Sequence, residues 1–317
     1  MISHIIKKVL SAVPILLVVS MILFLLMNVL PGDAAAGIAN IDAGEEYIQK
    51  IREEMGLNRS AVVRYFDWIK DILRGNFGTS LITKQSVAEK IKLRLPVTLE
   101  ITLLAIAVSL LIALPAGIIS AIRRNSPLDM TTSVLSMIGV ALPPFWLGML
   151  LILLFSVTLG WLPASGFVAM NKNLGANLLR MIMPAISVGA GFAATVMRQT
   201  RSSLLEVLDQ DYIVTAKAKG LKGSTIIWGH ALRNSLIPVI TVIAMQIGRM
   251  IGGVVVCETV FAVPGIGREI VDSILSRDYP VTMGLILCVA AIIVLINTLI
   301  DVIYVIIDPR ISHKTKA

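Results

Sequence analysis

Long apolar runs alternate with polar stretches along the whole chain, and this alternation predicts its elements. Val9 to Leu30 is 22 residues without a charge, close to the ~20 that a helix needs to cross a bilayer core. Comparable runs predict spans over Val97–Ile122, Met130–Leu159, Leu178–Gln199, Ser235–Cys257 and Val281–Ile307. The first run exceeds the roughly 7–15 apolar residues of a signal peptide. It therefore reads as a retained helix, although Ala34-Ala35-Ala36 has the look of a cleavage site.

The runs carry internal punctuation. Pro96 opens the second span, where a first-turn proline is tolerated; Glu100 follows one turn in, within reach of the outer interface, and Arg123 and Arg124 stop the helix. Pro143-Pro144 must kink or break the third span, either to face a cavity or simply to pack. Trp161 fits an interfacial aromatic belt. Gly189 and Ala193, and Gly248 and Gly252, are small pairs at the spacing that lets helices approach closely. Asn297, Asp301 and Tyr304 share a face near the inner end of the last span, where Asp301 reads as a hydrogen-bonding or packing group.

Residues 31–95 are polar, with ten Lys/Arg and nine Asp/Glu. Ile48, Ile51 and Met55 recur at helical spacing before Gly56, and Val62, Phe66, Ile69 and Leu73 before Gly75. Ser86 and Glu89 match a capping box for a third short helix. The segment reads as a small helical insertion on the outer face, either a working cap or a surface decoration. Pro264-Gly265 makes a turn in the last outer loop, ahead of a short amphipathic helix near Ile270–Leu275.

Composition agrees: 56% of the 317 residues are hydrophobic and 15% charged, against roughly 45–50% apolar in soluble domains. The net charge of +8 needs no nucleic acid, because basic residues gather beside spans on the cytoplasmic face. The N-terminus, the 123–130 loop, the 198–233 loop and the tail hold 2, 2, 6 and 3 Lys/Arg. Six spans with both termini in the cytoplasm follow. The resulting division is 1–95 for the first helix and outer segment, 96–308 for a five-helix core with an inner loop at 198–233, and 309–317 for the tail. Cys257 and Cys288 do not suggest a disulfide, and His4, His230 and His313 have no metal-ligand spacing. There is no Walker A pattern, and no Ser/His/Asp or paired-carboxylate set stands out, so neither a catalytic site, nor a metal, nor a cofactor is expected.

The inner loop is unusual. Asp211 to Pro238 is long for so apolar a chain and has helical chemistry, with small residues at Ala216, Ala218 and Gly220 and charge at Lys217, Lys219 and Lys222. This reads as a docking element for a soluble partner. Thr215-Ala216-Lys217-Ala218-Lys219-Gly220-Leu221, with His230-Ala231-Leu232-Arg233-Asn234 downstream, resembles the cytoplasmic EAA loop of binding-protein-dependent ABC importer permeases, in its dipeptide, oligopeptide and nickel branch. Matching stretches cover the chain: Leu30-Pro31-Gly32-Asp33, Arg94-Leu95-Pro96-Val97-Thr98-Leu99-Glu100, Gly160-Trp161-Leu162-Pro163-Ala164-Ser165-Gly166, Glu258-Thr259-Val260-Phe261, Pro264-Gly265-Ile266-Gly267, Arg277-Asp278-Tyr279-Pro280 and Asp308-Pro309-Arg310. The general motif begins Glu-Ala-Ala where this chain has Val214, Thr215 and Ala216, and carries a proline where it has Arg233.

The resemblance implies an all-α polytopic membrane protein with the type I ABC importer permease fold. It implies one half of a heterodimeric pore for di- or oligopeptides, a second homologous permease, two cytoplasmic ATP-binding subunits and an extracytoplasmic substrate-binding protein. Asp211, Tyr212, Thr215, Ala216, Lys217, Lys219, Gly220 and Leu221 would form the coupling helix and its turn. An arginine inside a span is costly and faces a cavity or a partner. Arg249, with Met245 and Gln246, thus lines the passage and meets a substrate carboxylate or holds a gate, or else pairs with an acid of the second permease. A nickel or metallophore permease remains the alternative within the family. Outside it stand a membrane-embedded enzyme, for which Glu100, Arg249 and Asp301 are too scattered, and a secondary transporter without ATPases.

Overall fold

The computed structural model describes residues 2–29, 49, 52 and 58–307, with side chains at 12–27, 49, 52 and 58–300. Ile48, Ile51 and Met55 of the first expected outer helix, the Leu30–Asp33 stretch, the side chains of Asp301 and Tyr304, and the tail from Asp308 lie outside these described residues. The described part is helical, with no strand and one isolated bridge, Thr79 to Ser86.

The helices are α1 (Ile2–Val29), α2 (Ala61–Leu73), α3 (Val87–Ile122), α4 (Pro127–Ala141), α5 (Pro144–Leu151, continued by a π-helix, Ile152–Thr158), α6 (Leu174–Leu208), α7 (Asp211–Ala218), α8 (Gly223–Thr225, continued by a π-helix, Ile226–Ala231), α9 (Leu232–Val260), α10 (Ile266–Leu275) and α11 (Tyr279–Ile307). Among the described residues four helices are long and apolar enough to cross a membrane: Val87–Ile122, Leu174–Leu208, Gly223–Val260 and Tyr279–Ile300. The bent pair α4–α5 makes a fifth if it counts as one span. The apolar part of α1, Ala12–Met27, is shorter.

The chain divides into two compact units, one of residues 1–97 and 264–298, the other of 98–263 and 299–317. In the first, Val87, Ile266, Val281 and Leu285 form a buried core. Gly284 admits Val87 so closely that a Cβ there would lie 2.7 Å from it. Glu269 of α10 accepts from Lys90 Nζ at 2.5 Å and Arg94 Nε at 3.0 Å. Burial pushes the Glu269 carboxyl up, but the hydrogen bond from Lys90 and the charges of Arg94 and Lys90 outweigh it and hold the pKa below its ordinary value. Asp278 is tied down by Ser80 Oγ at 2.5 Å and Leu81 N at 3.1 Å.

Two expectations change here. Ser86 does open a helix, but it is no short separate one: α3 continues through Pro96 to Ile122, so Pro96 is interior. Its missing N–H would leave the Lys92 carbonyl open, and Lys92 is exposed. On α2, Val62, Phe66 and Leu73 are outward and exposed. The packed face is the aromatic one, where Tyr65 and Trp68 stand against Phe24 and the Tyr65 hydroxyl is 2.9 Å from Ser20 Oγ.

In the second unit α6 is central, flanked by α4, α5 and α9. Asn173 caps its start by accepting from Ala176 N at 3.0 Å. Gly189 brings α6 onto α3, where an added Cβ would meet Ser109 Oγ at 2.3 Å and the Ala105 carbonyl at 2.9 Å. Ser109 Oγ donates to the Gly189 carbonyl across this contact at 2.9 Å. Gly252, by contrast, has no neighbour within 4 Å of an added Cβ among the described residues. Pro143-Pro144 does more than kink the third run: the two halves meet at 109°. Ser187 of α6 donates to the Pro144 carbonyl at the corner.

Candidate functional site

The polar loop folds as expected into a short helix, α7. Gln210 enters extended, Asp211 sits in the first turn and Lys217 in the last, both signs favourable to the helix dipole. Gly220 closes the helix at φ +76°, a left-handed conformation that glycine adopts without strain. The Gly220 N–H donates to the Lys217 carbonyl at 3.0 Å and the Leu221 N–H to the Ala216 carbonyl at 3.3 Å.

α7 has two faces. Ile213 and Ala216 are buried in a cluster with Ile118 and Ala121 of α3, Leu204 of α6, and Ile226 and Ala231 of the second π-helix. Asp211, Tyr212, Val214, Thr215, Lys217, Lys219, Gly220 and Leu221 are exposed. Ala216, whose small side chain suggests a contact with a partner, thus points into the chain's own core. The Tyr212 hydroxyl accepts from Asn234 Nδ2 at 2.9 Å, tying the helix to the start of α9. The π-helix Ile226–Ala231 supports α7 from below and was not legible as such; π segments of this kind concentrate at functional sites.

Arg249 is elsewhere on α9, seventeen residues past Leu232, about 25 Å along the axis at ~1.5 Å per residue. It is exposed and donates to Gln246 Oε1 at 3.3 Å. No carboxylate pairs with it among the described residues. Met245 beside it is exposed and Gln246 half-buried. The structure therefore keeps residues 211–221 and the Met245–Gln246–Arg249 group apart, the first on α7 and its turn, the second on α9.

A third constellation escaped the sequence reading. Asp129, 4% exposed, accepts from Arg201 Nε at 2.6 Å and Nη2 at 2.8 Å, from Ser120 Oγ at 2.5 Å and from Asn125 N at 2.9 Å. Its own N–H donates to Ser126 Oγ at 3.2 Å. The spacing Ser126-x-x-Asp129 was a visible helix-start signal, but nothing in sequence links it to Arg201. No group of three or more His, Cys, Asp or Glu able to hold a metal occurs among the described residues.

A family model described as "Binding-protein-dependent transport system inner membrane component" matches residues 113–313, and its N-terminal companion matches residues 1–102. A Brucella suis protein named for a peptide transport system permease is 41% identical over 313 residues, covering 99% of this chain and 100% of its own length. An oligopeptide transport system permease of Bacillus subtilis is 39% identical, and a glutathione transport system permease of Escherichia coli 38%, each across 99% of this chain and 100% of its own length. This chain belongs to the family of inner-membrane permease components of binding-protein-dependent ABC transport systems. It is a multi-pass inner-membrane protein.

Proposed function

We propose that this permease subunit forms one half of a pore that imports di- or oligopeptides, driven through α7 by cytoplasmic ATP-binding subunits. The chain itself supplies no engine and works as the moved part. The observation that carries the reading is the two-faced α7. Ile213 and Ala216 anchor it to α3, α6 and the second π-helix, while Tyr212, Val214 and Leu221 stand exposed beside Lys217 and Lys219. Exposed apolar groups among lysines on a short helix suit a partner that grips the helix. In this reading a second permease completes the pore, two ATPases grip the two coupling helices, and an outer binding protein delivers the substrate. Six spans, with α1 as the first, and cytoplasmic termini set α7 on the ATPase side. ATP binding moves the bundle only in so far as it favours one arrangement over the other.

A cysteine in place of exposed Val214 tests this in the assembled transporter. An ATP-sensitive crosslink to an ATPase subunit is the expected result. Crosslinking to nothing, in a complex that still hydrolyses ATP, would remove the reading. The same experiment with Ala216→Cys is expected to give no crosslink, since that side chain is turned inward.

Arg249 has an accompanying role. A guanidinium within a span, exposed and with one neutral partner, requires water or an anion. Every linear peptide with a free C-terminus carries a carboxylate, which a guanidinium pairs with in bidentate geometry. Arg249→Met is expected to lower uptake of such peptides by about tenfold, a cost of ~1.4 kcal/mol, and to spare C-terminally amidated ones. Equal loss for both classes would instead indicate a contact with the second permease.

A further inference from the structure

The Asp129 cluster ties together parts of the second unit that α7 must act upon. Ser120, beside Ala121, is near the end of α3; Asn125 is in the turn that follows; Asp129 is in the first turn of α4; Arg201 is on α6, one turn before Leu204. Ala121 and Leu204 belong to the buried cluster that holds Ile213 and Ala216 of α7. The two-pronged Arg201 contact and the base of the α7 seat therefore share the same turns of α3 and α6.

Beyond Asp129, α4 borders a crevice. A crevice of about 260 Å³ runs between α4, α3 and α6. Thr132, Leu135, Ser136 and Gly139 of α4 line it, facing Ala190 and Ala194 among others. At Gly139 the two helices approach closely, since a Cβ there would lie 3.1 Å from that of Ala194. α4 is thus fixed at its base by four hydrogen bonds to one carboxylate and borders the crevice over part of its length. It leads through the 109° corner into α5, which packs on α9, the helix of Arg249.

We propose that Asp129 and Arg201 are positioning residues that transmit displacement of α7 to the bent α4–α5 span, so that this pair sets how much peptide moves per ATP hydrolysed. The inference rests on the importer reading above. A fork-to-carboxylate pair is stiff in both distance and orientation, which a transmitting joint requires and a general packing contact does not. Asp129→Asn removes the charge and retains an acceptor for Ser120. Arg201→Lys keeps the charge and loses the fork. Arg201 is 30% exposed in its side chain, so water can solvate it when its partner is neutral.

The test uses the complete transporter in proteoliposomes with its binding protein and a pool of radiolabelled di- to pentapeptides, measuring ATP hydrolysed and peptide accumulated in parallel. In the wild type, ATP-dependent accumulation is expected; its absence removes the importer reading and the joint with it. With accumulation present, both variants are expected to assemble and hydrolyse ATP near the wild-type rate. The peptide moved per ATP is expected to fall by about tenfold in Asp129→Asn, within the range typical of coupling between sites, and by less in Arg201→Lys. A merely structural role would lower assembly and hydrolysis together and leave the ratio alone. An unchanged ratio in both variants, or hydrolysis and uptake falling in proportion, overturns the joint while leaving the importer reading intact.

Discussion

Aspartate in place of Ile213 is expected to abolish peptide uptake while the spans remain folded in the membrane. Ile213 has no exposed surface and lies among Ile118, Ala121, Leu204, Ile226 and Ala231, none of which offers a hydrogen bond to a carboxylate side chain. An unpaired buried charge costs several kcal/mol, and at ~1.4 kcal/mol per tenfold the seated population of α7 falls by about 100-fold or more. An eight-residue helix relieves that cost by leaving its seat, since it has too little internal stability to hold the bundle hostage. The expected signature is normal abundance in the membrane, loss of uptake, and ATP hydrolysis that no longer responds to peptide. Uptake near the wild-type rate would show that α7 does not act through this seat. Ile213→Val, which keeps the apolar contact, is expected to transport nearly normally.

The second large effect is on folding. Gly189→Val would place carbon 2.3 Å from Ser109 Oγ and 2.9 Å from the Ala105 carbonyl, and the backbone of α3 cannot yield as a flexible side chain would. Overpacking of this kind costs about 1–3 kcal/mol and at times more, enough to change steady-state abundance several-fold. Ala193→Val, one turn further along α6, is the control, since Ala193 borders the crevice and added methyls there meet open space. Quantitative blotting of membranes is expected to show the first variant depleted and the second near normal. Equal abundance of the two would refute the close approach of α3 and α6.

These cases show where the sequence was informative. Apolar run length located α3, α6, α9 and α11, because the bilayer imposes a length that composition reveals. Pro143-Pro144 announced a break but not its 109° angle, since proline removes a hydrogen bond without choosing a direction. The α7 motif was legible from its residues; which face would be buried was not. Val62, Phe66 and Leu73 misled because an apolar stripe predicts burial against something, and on α2 the larger aromatic faces of Tyr65 and Trp68 took the contact within the chain. Asp129 and Arg201 were invisible as a pair: 72 residues separate them, and only the turn held by Asn125 at φ 62° brings α4 back to α6.

Gly220 has one further consequence. Its left-handed φ of +76° is imposed by chain direction alone, for no atom crowds the place where its Cβ would be. A right-handed helix ends where a residue takes that conformation, so α7 stops at Ala218 and the chain turns toward Gly223. The length of α7 therefore hangs on one residue with no side chain, since any Cβ there would strain the turn that ends it.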